Sequence, residues 1–272
     1  MTARDIGPAS FEALQRLIAT LRGEDGCPWD RKQTPTTLST YLIEEVYELV
    51  DAIANGDPDA ILEELGDVLF QVLFVIHLYE QEHRFTLKQV LERIIGKMIH
   101  RHPHVFGSER VDSASEVKEQ WRRIKQQEKG EHSPLLESIP AGMPALMRAY
   151  RVSERAAGTG FDWDGLAEVM MQAEQEWVEF KTEVGDGSAA EMDRSKMEME
   201  YGDVLFTLVN VARLASIHPE HALARSTRKF IRRFNWMENA VVSEGNHLEA
   251  LARDVMDRLW VSAKENDPPN EE

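Results

Sequence analysis

Apolar residues recur along most of this chain at helical spacing, and strand-like alternation is rare. Phe11, Leu14, Leu17, Ile18 and Leu21 mark one face of a helix over 11–21. Gly23 to Pro35 is punctuated by Gly, Pro and Asp and reads as a loop. A second helix is expected over about Thr36–Ala54, ending at Asn55-Gly56. Asp57-Pro58 then supplies an N-cap and a first-turn proline for a third helix through about Glu80. Its stretch Val68–Tyr79 is the most apolar of the chain. It contains Gln71 and His77 and is too short to span a bilayer, so it reads as a buried helix. Thr86 opens a fourth helix that must stop before Pro103. The expected fold class is therefore all-α.

The second half repeats the first. Glu64-Leu65-Gly66-Asp67-Val68-Leu69-Phe70 recurs as Glu200-Tyr201-Gly202-Asp203-Val204-Leu205-Phe206. Trp29-Asp30 matches Trp163-Asp164, Glu45 and Glu48 match Glu176 and Glu179, and Lys97 and Arg101 match Lys229 and Arg233. Trp121 and Trp260 close the two copies. Matches that keep their order point to duplication of one helical module. The expected organisation is a module over 1–128, a charged, proline-containing linker over 129–140, a second module over 141–265 and a disordered tail over 266–272.

The acids carry the chemistry. Residues three or four apart share a helix face, so Glu45 and Glu48 point one way, as do Glu64 and Asp67 on the next helix. A short connection makes those helices antiparallel, and four carboxylates can converge across the pair. Leu42, Val46, Leu49, Leu62, Leu65 and Leu69 are expected to pack beside them. Such a cluster resists ionisation unless cations neutralise it. An all-oxygen set suits Mg2+ or Mn2+, which can share its shell with substrate phosphates and acidify a bound water. Solvated helix faces are the plainer reading of any single acid run. Against it, the acid pattern appears twice and lacks nearby Lys or Arg around Glu44–Asp51. A di-iron bundle would need Glu-x-x-His, and both copies have Glu-x-x-Asp.

Composition narrows the partners. The 272-residue chain has 31 Lys plus Arg against 48 Asp plus Glu, a net charge of -17, which argues against a nucleic-acid binder. One cysteine, Cys27, excludes an intrachain disulfide, and no signal peptide is read at the N-terminus; a cytoplasmic location is expected. His100, His102 and His104 surround the helix-breaking Pro103 and suit a cap with packing or phosphate contacts better than zinc. Asp162 and Asp164, flanking Trp163, suit loop capping. The methionines of the second half read as core filler.

Glu-Glu-x-x-Glu followed by Glu-x-x-Asp resembles the MazG family of nucleoside triphosphate pyrophosphohydrolases. So do Gly26-Cys27-Pro28-Trp29-Asp30, Arg101-His102-Pro103-His104-Val105-Phe106 and Gly160-Phe161-Asp162-Trp163. The resemblance covers nearly the whole chain and matches the two-domain form. It implies tandem four-helix modules related to dimeric dUTPases, a homodimer, Mg2+ dependence, and hydrolysis of (d)NTP to (d)NMP and pyrophosphate with broad base tolerance. It also implies that the C-terminal module carries hydrolysis, with Glu176, Glu179, Glu200 and Asp203 as metal ligands and Lys196, Lys229, Arg233 and Trp260 contacting nucleotide. Glu45, Glu48, Glu64 and Asp67 are the matching metal positions of the first copy. Ala60 stands where the second copy has Lys196, and Gln175 stands where the first has Glu44. If that position supplies a base, the second module is slow. A non-catalytic, nucleotide-binding regulatory dimer is the alternative, although both acid quartets are complete. A phosphoribosyl-ATP pyrophosphohydrolase is disfavoured by the duplication.

Overall fold

The computed structural model describes residues 8–129, 134–185, 193–243 and 245–267. The chain divides into two compact units between Glu131 and His132.

In unit 1, helix α1 (Phe11–Arg22) starts at Ser10, whose hydroxyl accepts from the Ala13 N–H at 3.1 Å. A loop with one 3-10 turn (Asp30–Lys32) follows. Its carbonyls at Asp30, Arg31 and Gln33 all accept from the Arg22 guanidinium. Helix α2 (Pro35–Asn55) begins with a capping box between Thr34 and Thr37 and ends at Gly56, whose φ of 70° suits a residue without a Cβ. Helix α3 (Pro58–Gln81) is capped by Asp57, which accepts from the N–H groups of Asp59 and Ala60. Two residues, Gly56 and Asp57, join α2 to α3, so the helices return antiparallel and pack along their lengths. Helix α4 (Leu87–Arg101) leads into the short α5 (Pro103–Phe106) and then α6 (Ala114–Lys129). The helix boundaries agree with the hydrophobic periodicity to within a residue or two.

The core of unit 1 lies at the C-terminal half of α3. Leu73, Phe74, Ile76 and Leu78 bury against Ile18 of α1 and Leu38 of α2, with Phe70 edge-on to Phe74. Burying such side chains contributes roughly 1.5–3 kcal/mol each. The N-terminal half of α3 differs. Val46, Leu62, Leu65 and Leu69, expected to pack beside the acids, are exposed, Leu62 to 72 %. Helices α1 and α4 pack against the C-terminal half of α3, and the apolar stripe of this N-terminal stretch faces outward.

Unit 2 repeats the plan with α7 (Ala145–Ala157), α8 (Leu166–Val184), α9 (Arg194–Leu214), α10 (Pro219–Ser243) and α11 (Arg253–Glu265). Helices α8 and α9 form the long hairpin, α7 packs on α9, and α10 packs on α11 and α7. Asp193 caps α9 as Asp57 caps α3, each seven residues before the Glu of Glu-x-x-Asp. Val169, Val204, Val209, Met237, Val241 and Ala263 are buried.

Within the expected linker 129–140, residues 130–133 lie outside the described residues. The part from 134 is fastened to unit 2: Ile139 is buried, and Arg155 of α7 donates to the Leu135 carbonyl at 3.0 Å. Of the expected tail 266–272, Asn266 and Asp267 are described. Asp267 is held by two arginines of α10, and only 268–272 lie outside the described residues.

Candidate metal centre and active site

The antiparallel hairpins do to the acids what the spacing required. In unit 1, carboxylate oxygens of Glu45 and Glu48 from α2 and of Glu64 from α3 all lie within 4.8 Å of one another. Asp67, one turn after Glu64, is close enough to hinder ionisation of both Glu45 and Glu64. In unit 2, oxygens of Glu176 from α8 and of Glu200 and Asp203 from α9 lie within 4.8 Å of one another, and Glu179 is the strongest acidic influence on Glu200.

The electrostatics of the two clusters agree. Burial first, and then the surrounding carboxylates, push Glu45, Glu64 and Glu200 above the ordinary carboxylate range. Glu64 Oε2 is buried and accepts no hydrogen bond. A carboxylate oxygen in that condition calls for a proton or a cation. Hard oxygen donors gathered from two rigid helices fit a divalent ion such as Mg2+.

Two glutamines steer the acids of unit 2. Gln172 Nε2 donates to Glu176 Oε1 at 2.8 Å, and Gln175 Nε2 donates to Glu179 Oε1 at 2.9 Å. Gln175, which stands where the first copy has Glu44, therefore orients the Glu179 carboxylate. Gln71 on α3 performs a related service for Glu45. The i,i+4 spacing of Gln172 to Glu176 and of Gln175 to Glu179 on α8 is the sequence signal for both contacts.

The cationic and aromatic candidates are distributed differently. Lys196 lies on α9 one turn before Glu200 and is exposed. Lys229 and Arg233 sit one turn apart on α10, and Trp260 sits on α11, which packs on α10. Trp260 meets Phe230 at 5.2 Å between ring centroids, and Arg233 donates to Asp267. Lys229 lines a concavity of about 470 Å3 with His218, His221, Arg225 and Ser226.

Other singled-out residues serve the scaffold. Asp162 accepts both terminal nitrogens of Arg213, and this hydrogen bonding outweighs burial and holds its carboxyl below the ordinary range. Asp164 N–H donates to Glu168 at the start of α8. His102 Nδ1 meets the Met98 carbonyl at 2.6 Å and His104 Nδ1 meets Gln120 at 2.8 Å, so both rings are tied into the α4–α6 junction. They join no metal-competent group among the described residues. Among the described residues no helix is long and apolar enough to cross a membrane.

Fold and site together define an all-helical protein of two repeated modules, each gathering carboxylates from a helix hairpin into a cluster that could hold a metal ion. Comparison with known proteins identifies the lineage. The profile of the MazG nucleotide pyrophosphohydrolase domain matches twice, over residues 33–106 and 166–237, each match containing one acid quartet. The nucleoside triphosphate pyrophosphohydrolase/pyrophosphatase MazG of Thermotoga maritima is 41% identical over 258 residues, covering 94% of this chain and 96% of its own. The nucleoside triphosphate pyrophosphohydrolase of Escherichia coli is 39% identical over 258 residues, covering 93% and 97%. A solved structure of a MazG-related protein from Thermotoga maritima aligns over 42% of this chain and 98% of its own, at 29% identity and a TM-score of 0.37. The chain belongs to the MazG family.

Proposed function

We propose that this protein is a Mg2+-dependent nucleoside triphosphate pyrophosphohydrolase that cuts between the α- and β-phosphates of (d)NTPs, releasing (d)NMP and pyrophosphate. The observation that carries the reading is the convergence of Glu176, Glu200 and Asp203 to within 4.8 Å, with Glu179 beside them, on a pair of antiparallel helices. Relatives that match nearly end to end bear the name of this activity.

In this reading Glu176, Glu179, Glu200 and Asp203 hold the metal, and Glu45, Glu48, Glu64 and Asp67 are the equivalent set of unit 1. Mg2+ bound among these acids would offset their repulsion, neutralise phosphate charge and lower the pKa of a water. Gln172 and Gln175 keep the Glu176 and Glu179 carboxylates in one rotamer each, so less side-chain freedom is lost when they bind. Lys196 approaches the phosphates from the α9 face that bears Glu200. Lys229 and Arg233 stabilise charge on the leaving pyrophosphate, and Trp260 offers an apolar surface for the base. The C-terminal module is the principal site, since unit 1 has Ala60 at the position of Lys196.

The working form in this reading is a homodimer. Ile43, Tyr47, Val50 and Leu62 of α2–α3 and Trp177, Met199 and Leu208 of α8–α9 are large, apolar and exposed. A second copy laid against these hairpins would remove them from water. The purified protein with Mg2+ and mixed dNTPs tests the activity. Pyrophosphate and dNMP are the expected products, and orthophosphate with dNDP would eliminate the mechanism.

A further inference from the structure

Each unit carries a second repeated constellation, apart from its acid quartet. On α4, Lys97 precedes Arg101 by one turn, and on α6 Trp121, Lys125 and Glu128 follow the spacing Trp-x-x-x-Lys-x-x-acid. On α10, Lys229 precedes Arg233 by one turn, and Trp260, Lys264 and Asp267 keep the same spacing along and just past α11. The side chains make the same pairings twice. Arg101 donates Nε to Glu128 Oε1 at 3.2 Å and Nη2 to Oε2. Arg233 donates Nε to Asp267 Oδ2 at 2.8 Å. Lys125 Nζ lies 5.4 Å from the centre of the Trp121 ring, and Lys264 Nζ lies 5.9 Å from that of Trp260. The acid is Glu in one copy and Asp in the other, so its charge has been kept while the side chain changed.

An ordinary surface ion pair would not explain the geometry around Asp267. Its side chain is 6% exposed, and its other oxygen accepts from Arg232 Nε at 3.2 Å. Burial of that kind opposes ionisation, and the hydrogen bonds from Arg233 and Arg232 outweigh it. The bond to Arg233 is made through Nε. A guanidinium held there still presents its terminal Nη1–Nη2 edge, the fork that suits two phosphate oxygens.

We propose that Asp267 is a positioning residue for triphosphate binding: it holds Arg233 through Nε, fixing the plane of the guanidinium so that the terminal edge is set for the phosphates. In unit 1 Glu128 pairs with Arg101 through both Nε and Nη2, so the acid–arginine pairing recurs there but occupies part of the terminal edge. The ordering of a long, flexible side chain is then completed on folding and is not charged against substrate binding. This inference rests on the reading that Arg233 contacts the phosphates.

The test compares wild type with Asp267→Asn, Arg233→Gln and the double variant. Pyrophosphate release gives kcat and KM, and calorimetric titration gives the Kd of an α,β-methylene deoxynucleoside triphosphate. Asp267→Asn is expected to raise both KM and Kd about tenfold, the scale of one charge-assisted hydrogen bond, and to lower kcat as well, because Arg233 also steadies charge on the leaving pyrophosphate. Asp267→Glu should recover much of that loss. In the Arg233→Gln background, Asp267→Asn should have no further effect, which a merely structural role would not produce. Asp267→Ser gives the same comparison should the Asn variant fail to fold. An unchanged or lowered KM and Kd for Asp267→Asn, or losses that add in the double variant, would overturn the proposal. Absence of pyrophosphate release from wild type would instead sink the proposed activity, while the Kd comparison would still read the Asp267–Arg233 coupling.

Discussion

Arg213 is the residue whose removal should be felt most clearly in unit 2. It sits in the last turn of α9, the helix that carries Glu200 and Asp203, and joins three elements. Its Nη1 donates to Asp162 Oδ2 at 3.0 Å, Nη2 reaches Asp162 Oδ1, and Nε donates to Ser153 Oγ of α7 at 2.8 Å. Ser153 also donates to Asn210, and both are 5% exposed. Arg213→Met keeps an unbranched apolar stem about as long as the aliphatic part of the arginine and removes every donor. Stripping one partner from a buried pair costs about 3–5 kcal/mol. The Asp162 side chain is 28% exposed, so water recovers part of this, and about 2–3 kcal/mol remains. For a unit of this size each kcal/mol lowers the melting temperature by about 3 °C, so a fall of about 6–9 °C is expected in the unit 2 transition.

The pH dependence has a definite sign. The hydrogen bonds from Arg213 lead the influences that hold the Asp162 carboxyl below its unfolded value. Such a group stabilises the fold above its unfolded pKa, about 3.9, and loses that contribution as pH falls through the folded value. The gap between wild type and Arg213→Met should be full between pH 5 and pH 7 and close as the pH drops below about 4. Scanning calorimetry across that range measures it. A variant that melts within about 1 °C of wild type at pH 7, or a gap indifferent to acid, would refute the reasoning.

Three further outcomes are expected. Glu179→Gln should lower pyrophosphate release by at least about a hundredfold, the upper end of what loss of an outer-shell partner costs a metal site, whereas Glu48→Gln should largely spare it; steady-state assays with Mg2+ would locate the site in unit 1 if the two results exchanged. Glu45, Glu64 and Glu200 are raised in the fold by burial and by one another, so without metal the protein should lose stability as pH rises through their folded values. Mg2+ should therefore raise the melting temperature more at pH 8 than at pH 5, and Glu200→Gln should melt higher than wild type in EDTA yet gain less from Mg2+; calorimetry with and without EDTA reads all of these. Light scattering should give twice the 31.1 kDa chain mass, and Leu62→Lys with Leu65→Lys, placed on the exposed stripe of α3, should shift the population toward monomer.

The sequence alone determined whatever depends on local spacing. Periodicity of 3.6 set the helices, Asp57 with Pro58 set a start, and Gly56 set a stop, because capping and left-handed backbone are decided within a few residues. The acid quartets were legible for the same reason: three- and four-residue spacings place carboxylates on one face, and a two-residue connection turns that face toward its partner helix.

The tertiary structure decided what lies between distant segments. Val46, Leu62, Leu65 and Leu69 read as packed from their apolarity, yet whether a stripe is covered depends on how many helices reach it, and among the described residues of unit 1 these four stay exposed. That Arg213 would fasten Asp162, or that Asp267 would hold Arg233, depends on pairings 51 and 34 residues apart, which no local period encodes. Charge and hydrogen-bonding capacity are written in a side chain's identity; the partner that satisfies them is chosen only when the helices pack.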